Sequence, residues 1–135
     1  MIYNIVDAPR IGKEVKTMTQ RIALIAGATG LVGHALTELL IQQHTYDQVK
    51  VLVRQSVPEW EQQPRLQQII TDYERLEQHA DEWQATDVYC CLGTTIKKAG
   101  SQEQMYRIDV TYPLRLAERA RQHGAQHFLL ISAMG

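Results

Sequence analysis

Five apolar residues, Ile22-Ala23-Leu24-Ile25-Ala26, run directly into Gly27-Ala28-Thr29-Gly30-Leu31-Val32-Gly33. A buried strand feeding a glycine-rich turn that opens a helix can bind the pyrophosphate of a dinucleotide. Each glycine has its own task. The first permits a sharp turn, because glycine tolerates positive φ. The second lets the backbone approach the phosphates where a Cβ would clash, and the third lets the new helix lie close on the strand. The helix start adds unpaired N–H groups and a partial positive charge. The spacing is G-x-x-G-x-x-G rather than G-x-G-x-x-G. A ligand-free tight turn does not require three glycines at this spacing.

A second group of candidates lies further on. A dinucleotide site that prefers NAD carries Asp or Glu about 20 residues after the glycine turn, on the ribose 2′-hydroxyl. Here the end of the second strand holds Arg54. An arginine there can fork onto a 2′-phosphate, with Ser56 adding a hydroxyl, which favours NADP(H) over NAD(H). The alternative is an ordinary surface arginine at a strand end. Asp72, after the third strand, can accept a bond from the adenine amino group or simply form a turn. Leu92-Gly93-Thr94 ends the fourth strand beside the first, where ligands bind in open sheets, and Gly93 would permit close approach to the adenosine ribose.

The elements that must position these residues alternate. Strands are expected at Arg21–Ala26, Val49–Arg54, Leu66–Thr71, Asp87–Leu92 and His127–Ser132. Helices are expected at about Gly30–Gln43, Arg75–Trp83 and Gln102–His123, with one turn around Glu59–Gln63. Leu31, Val32, Ala35, Leu36, Leu39 and Leu40 form an apolar stripe on the first helix. Ser101 with Gln104 can form a capping box. Pro113 should kink the long helix or split it near Thr111 or Tyr112, and Gly124 should end it. Strands joined by helical crossovers give an α/β fold with a doubly wound parallel sheet in the order 3-2-1-4-5.

The 135 residues suffice for one domain. With 14 basic and 15 acidic residues the chain carries no basic footprint for nucleic acid. No apolar run approaches the roughly 18 residues of a membrane span. Residues 1–18 lack an apolar signal core and are expected to be a disordered tail or a mis-started leader, with Met18 as the alternative start. Cys90 and Cys91 are adjacent, so in a strand they face opposite ways and suit neither a disulfide nor a metal pair. Free thiols suit a reducing cytoplasm. The histidines show no H-E-x-x-H pattern, and His123 and His127, four apart, are separated by Gly124, which is expected to end the helix between them.

At these residues the chain resembles the short-chain dehydrogenase/reductase superfamily, in its atypical and extended branches. Gly27–Gly33 is a common form of that superfamily's cofactor turn. Cys90–Ser101, Ile108–Val110 and His127–Gly135 resemble blocks of the Tat-interacting-protein-like oxidoreductases. The resemblance spans about Thr19 to Gly135. It implies a Rossmann fold, with Gly27, Thr29, Gly30, Leu31, Val32 and Gly33 along the cofactor, and Arg54 on the 2′-phosphate. It also implies Asp72, Leu92, Gly93 and Thr94 at the adenosine, and Ser132 polarising a substrate carbonyl.

The same resemblance places a catalytic Tyr-x-x-x-Lys on a helix after the fifth strand, and the chain stops at Gly135 before it. Tyr46 and Lys50 have this spacing but precede the second strand, at the wrong end of the sheet. The chain is therefore expected to be the cofactor-binding portion of a longer protein, incomplete at its C-terminus. Its fifth strand would be left as an apolar edge open to self-association. Three functions remain open: an NADPH-dependent oxidoreductase acting on a carbonyl or hydroxyl, a non-catalytic NADP(H)-binding regulator or scaffold, and a non-binding remnant.

Overall fold

A strand that is apolar at every position is stable only where both faces of a sheet are covered. The computed structural model describes residues 20–76, 78, 82–93 and 100–131, and the backbone of residues 2–4. In it, β2 (Ile22–Ala26) is buried throughout and lies inside the sheet. Its side chains alternate between two cores. Ile22, Leu24 and Ala26 join the cluster under Leu116, Ala117 and Ala120, while Ala23 and Ile25 join the cluster under Leu40 and Trp60.

The remaining strands are β1 (Ile2–Asn4), β3 (Gln48–Val53), β4 (Leu66–Ile70), β5 (Asp87–Cys90) and β6 (His127–Ile131). The sheet order is β1-β6-β5-β2-β3-β4. All neighbours are parallel except β1, which runs antiparallel to β6. The five parallel strands thus have the expected order 3-2-1-4-5. Cys90 faces one core and Cys91 the other, as strand alternation requires.

One expectation changes at the sheet edge. The outer side of β6 is paired with β1, with Ile2 opposite Ile131 and Asn4 opposite Leu129. The open apolar edge foreseen for the fifth strand is therefore paired within the chain. Of residues 1–18, only Ile2–Asn4 are described.

Helix α1 (Leu31–Gln43) corrects a second expectation. Its buried positions are Gly33, Thr37 and Leu40. Leu31 and Val32 of the supposed apolar stripe are 92% and 51% exposed, and Leu39 is 47% exposed. The phase of the helix is set by its smallest residue, because only the glycine face can approach the turn below it. Thr37 also turns inward, its hydroxyl donating to Gly33 O at 2.7 Å.

The long helix is split as Pro113 foretold. It comprises α2 (Gln102–Tyr106), a π turn (Arg107–Thr111) and α3 (Tyr112–Gln122). The Tyr112 N–H reaches back to Arg107 O, five residues away. The wider turn makes room for a proline ring that a regular turn would clash with. Ser101 Oγ accepts from the Gln104 N–H at 3.1 Å, supplying half of the capping box. Gly124 leaves the helix at φ +83°. Of the helix expected at Arg75–Trp83, Glu77 and residues 79–81 lie outside the described residues, and the turn at Glu59–Gln63 is a 3-10 turn at Pro58–Trp60. Among the described residues, no helix is long and apolar enough to cross a membrane.

Phe128 is fully buried on β6 beneath α3. Phe128→Ala should destabilise the fold by about 3–5 kcal/mol, read from the urea unfolding midpoint.

Candidate functional site

The glycine turn lies between the end of β2 and the start of α1. Gly27 has φ +74°, and a Cβ there would meet Cys91 O at 2.6 Å. A Cβ on Gly33 would fall 1.9 Å from Gly27 O, inside the atom. Gly30 differs from both. It caps α1 at φ −74°, ψ 172°, which any residue can adopt, and a Cβ would meet nothing closer than Gly27 O at 3.6 Å. Gly27 and Gly33 are therefore glycine for the protein's own packing, whereas Gly30 leaves open space above the helix start. Gly93 is similar, since the nearest atom to its Cβ would be Asp109 Oδ1 at 3.9 Å.

A cavity of about 340 Å³ opens on this turn. Its floor is Gly27, Thr29 and Gly30, and its sides come from the ends of β3 (Leu52, Val53, Arg54) and β5 (Cys91, Leu92, Gly93). It lies outside the carboxyl ends of parallel strands, where open α/β sheets bind ligands. Arg54 is exposed there and makes no hydrogen bond or ion pair among the described residues. Asp72 also lines the cavity. Its Oδ1 accepts from the Glu74 N–H at 3.0 Å, so it does form a turn, and its Oδ2 lies 3.8 Å from Arg75 Nε.

The far wall is built by Tyr73, Glu74, Gln104, Ile108 and Tyr112. The rings of Tyr73 and Tyr112 stack with centroids 5.4 Å apart. Tyr112 OH donates to Glu74 Oε1 at 2.8 Å, Arg115 donates to Glu74 Oε2 at 2.9 Å, and Arg107 lies 3.7 Å from Oε1. The loop after β4 is thus tied to the π turn and α3. The hydrogen bond from Arg115, then that from Tyr112, holds the Glu74 carboxyl below the usual carboxylate range. Burial, then the bond to Glu74, raises the Tyr112 phenol. Burial also raises Tyr73, against the opposing pull of the Gly27 amide and the Arg54 charge. The Cys90 thiol is pushed up to about 12 and Cys91 to about 11, both by burial. Both are protonated near neutral pH and serve as packing.

The cavity gathers Gly27, Thr29, Gly30, Arg54, Asp72, Leu92 and Gly93 from the sequence candidates. Gly33 packs beneath it, and Leu31 and Val32 project from the first turn of α1 into solvent. Thr94 and Ser132 lie outside the described residues. Ser56 is engaged elsewhere, donating to Glu61 Oε1 at 3.1 Å. No sequence pattern singles out Tyr73 or Glu74. Tyr112, Gln104 and Ile108 carried only helix and family signals, because nothing in the spacing says which loop a helix will cover.

Tyr46 and Lys50 do not form a dyad. Tyr46 OH donates to Asp87 Oδ2 at 2.6 Å, while Lys50 Nζ donates to Glu82 O at 3.0 Å and Gln84 O at 2.8 Å. Burial lowers the Lys50 pKa. Elsewhere, His34, Glu38 and Glu59 lie close enough together to ligate an ion. His34 Nε2 is already 2.8 Å from Glu59 Oε1, and the Trp60 indole donates to Glu38 Oε1 at 2.9 Å.

The NAD-dependent epimerase/dehydratase family matches residues 23–134. Protein HTATIP2 of Rattus norvegicus is 35% identical over 120 residues, covering 87% of this chain and 49% of that protein. Protein FMP52, mitochondrial, of Eremothecium gossypii is 29% identical over 119 residues, covering 84% of this chain and 50% of that protein. The chain spans about half the length of the curated relatives it matches. A mutant uronate dehydrogenase of Agrobacterium tumefaciens complexed with NAD superposes with a TM-score of 0.62 at 18% identity. That match covers 77% of this chain and 37% of the other. The expectation of a cytoplasmic location is corrected here, since several fungal relatives are named mitochondrial. The two free thiols do not choose among compartments.

The glycines should separate by substitution. Gly33→Ala should cost more than about 3 kcal/mol in thermal or urea unfolding, whereas Gly30→Ala should cost about 1 kcal/mol or less. Glu74 should show a pH signature. Because its folded pKa is depressed, its stabilisation is present above the usual carboxylate range and is lost as pH falls through the lowered value. Glu74→Gln should therefore melt below wild type at pH 7, with the gap closing toward pH 3. An unchanged gap across that range would show that the carboxylate charge contributes nothing.

Proposed function

Because this chain belongs to the NAD-dependent epimerase/dehydratase family, we propose that it binds NADP(H) and is the cofactor-binding portion of an oxidoreductase. The fold is the NAD-binding Rossmann fold of the short-chain dehydrogenase/reductase superfamily. The observation that carries the preference for NADP(H) is Arg54. It stands at the end of β3, exposed and unpaired among the described residues, where an NAD-preferring site holds a carboxylate. A free guanidinium at that position can take a 2′-phosphate in a bidentate fork.

The residues fit a dinucleotide. Gly30 and Gly93 leave open space that a Cβ would occupy, and the start of α1 borders the cavity at Gly30 with no side-chain cap among the described residues. The pyrophosphate would lie over Gly27, Thr29 and Gly30. Leu92 and Ile108, which line the same cavity, would hold the adenosine, with Asp72 accepting from its amino group. The nicotinamide supplies a hydride for a carbonyl or accepts one from an alcohol. Ser132, and Thr94 near the ribose, complete the proposal from the family pattern. The support from relatives is coarser: one structural neighbour is a dehydrogenase complexed with NAD.

Titration with NADPH and NADH should show NADPH binding at least about tenfold tighter. Arg54→Ala should remove most of that preference, about 1.4 kcal/mol or more, while Gly30→Ala should weaken both nucleotides alike. Equal affinity for the two nucleotides in the wild type would overturn the assignment.

A further inference from the structure

Beside the nucleotide cavity lies a second basin of about 390 Å³, lined by Arg54, Ile70, Thr71, Asp72, Arg75 and Gln78. The two share Arg54 and Asp72 as a common wall. Arg54 arrives from the end of β3 and Arg75 from the loop after β4, so neighbouring parallel strands bring two guanidinium groups to one depression. The lining has one carboxylate, Asp72, against these two cations. The nearby Glu74 does not add a second, because its carboxylate is held by Tyr112, Arg115 and Arg107.

Arg75 is loosely held. Its one ion pair among the described residues is to Asp72 at 3.8 Å, and its side chain is 69% exposed. An exposed pair of that length is weak. A phosphate monoester offers more charge and several acceptor oxygens. Gln78 supplies a neutral polar edge, whereas the Thr71 hydroxyl already donates to Asp72 O at 3.2 Å.

We propose that this basin receives the 2′-phosphate of NADP(H), and that Arg75 is the second guanidinium that holds it, leaving Asp72 to do so. The inference rests on the NADP(H) reading above and adds a specificity residue from a different strand end. Arg75 has a double task. With a cofactor lacking the phosphate it stays on Asp72 and screens that carboxylate. With the phosphate present it turns to the stronger acceptor, while Asp72 remains available to the adenine amino group.

The test is calorimetric titration of the chain with 2′,5′-ADP, 5′-AMP and inorganic phosphate, in wild type, Arg75→Ala and Arg75→Lys. Wild type should prefer 2′,5′-ADP over 5′-AMP. Arg75→Ala should reduce that preference by about tenfold, with 5′-AMP affinity changed less than about twofold. Arg75→Lys should restore part of it. Full preference retained in Arg75→Ala overturns the role of Arg75 and leaves the NADP(H) reading standing. A wild type that binds both nucleotides equally overturns that reading itself. Inorganic phosphate binding as tightly as 2′,5′-ADP would mark a free-anion site and overturn the assignment to the cofactor. Melting curves of the variants establish that a lost preference is not lost folding.

Discussion

Helix α1 lies so close on the turn below it that a single methyl group at residue 33 would land 1.9 Å from the Gly27 carbonyl oxygen. Much of the site follows from this contact. It brings the first turn of α1 down onto the end of β2, below the open space at Gly30, and among the described residues no side chain caps that helix start. It also sets the rotation of the helix. The face that packs is the one with Gly33 and Thr37, and Leu31 and Val32 are left outside. A helix docked through larger side chains would stand off by some ångströms, and the backbone could not approach an anion. The positive φ of Gly27 serves the same end from the other side, because the turn must pass directly beneath Cys91 and Leu92.

The opposite wall is held by a different kind of force. Glu74 takes hydrogen bonds from Tyr112 and Arg115, with Arg107 nearby, and so links the loop after β4 to a helix almost forty residues later. These groups are largely exposed, and pairs of this kind contribute little each. Their effect is geometric. They hold Tyr73 against Tyr112 and set Ile108 over the strand ends. The π turn belongs to the same device, since the extra residue that accommodates Pro113 also alters which side chains of Arg107–Thr111 face the cavity. One wall is thus rigid and built from backbone contact, and the other is polar and built from side chains.

Much of the architecture was legible in the sequence because it depends on local patterns. The unbroken apolar run of β2, the crossover helices and the three glycines predict a parallel doubly wound sheet with the site at its switch point, and the strand order agrees. Element ends shift by a residue or two, as where β5 stops at Cys90 rather than Leu92. The stripe expected on α1 is packed only at Leu36 and Leu40; Leu31, Val32 and Leu39 are exposed because the close approach at Gly33 sets the rotation of the helix. The edge of β6 failed for another reason, because pairing with Ile2–Asn4 joins residues more than a hundred positions apart.

The sequence by itself determined the fold class, the place of the glycine turn, the positive charge at Arg54 and the split of the long helix at Pro113. Each is set by residues adjacent in the chain or by the fixed periods of strand and helix. Only the tertiary structure decided that Gly30 and Gly93 face open space while Gly27 and Gly33 face protein. It alone showed that Tyr46 and Lys50 serve separate partners, and that Arg75 and Arg54 line one basin. These are contacts between segments far apart in sequence. Their geometry depends on how closely elements pack, which no pattern of residue types records.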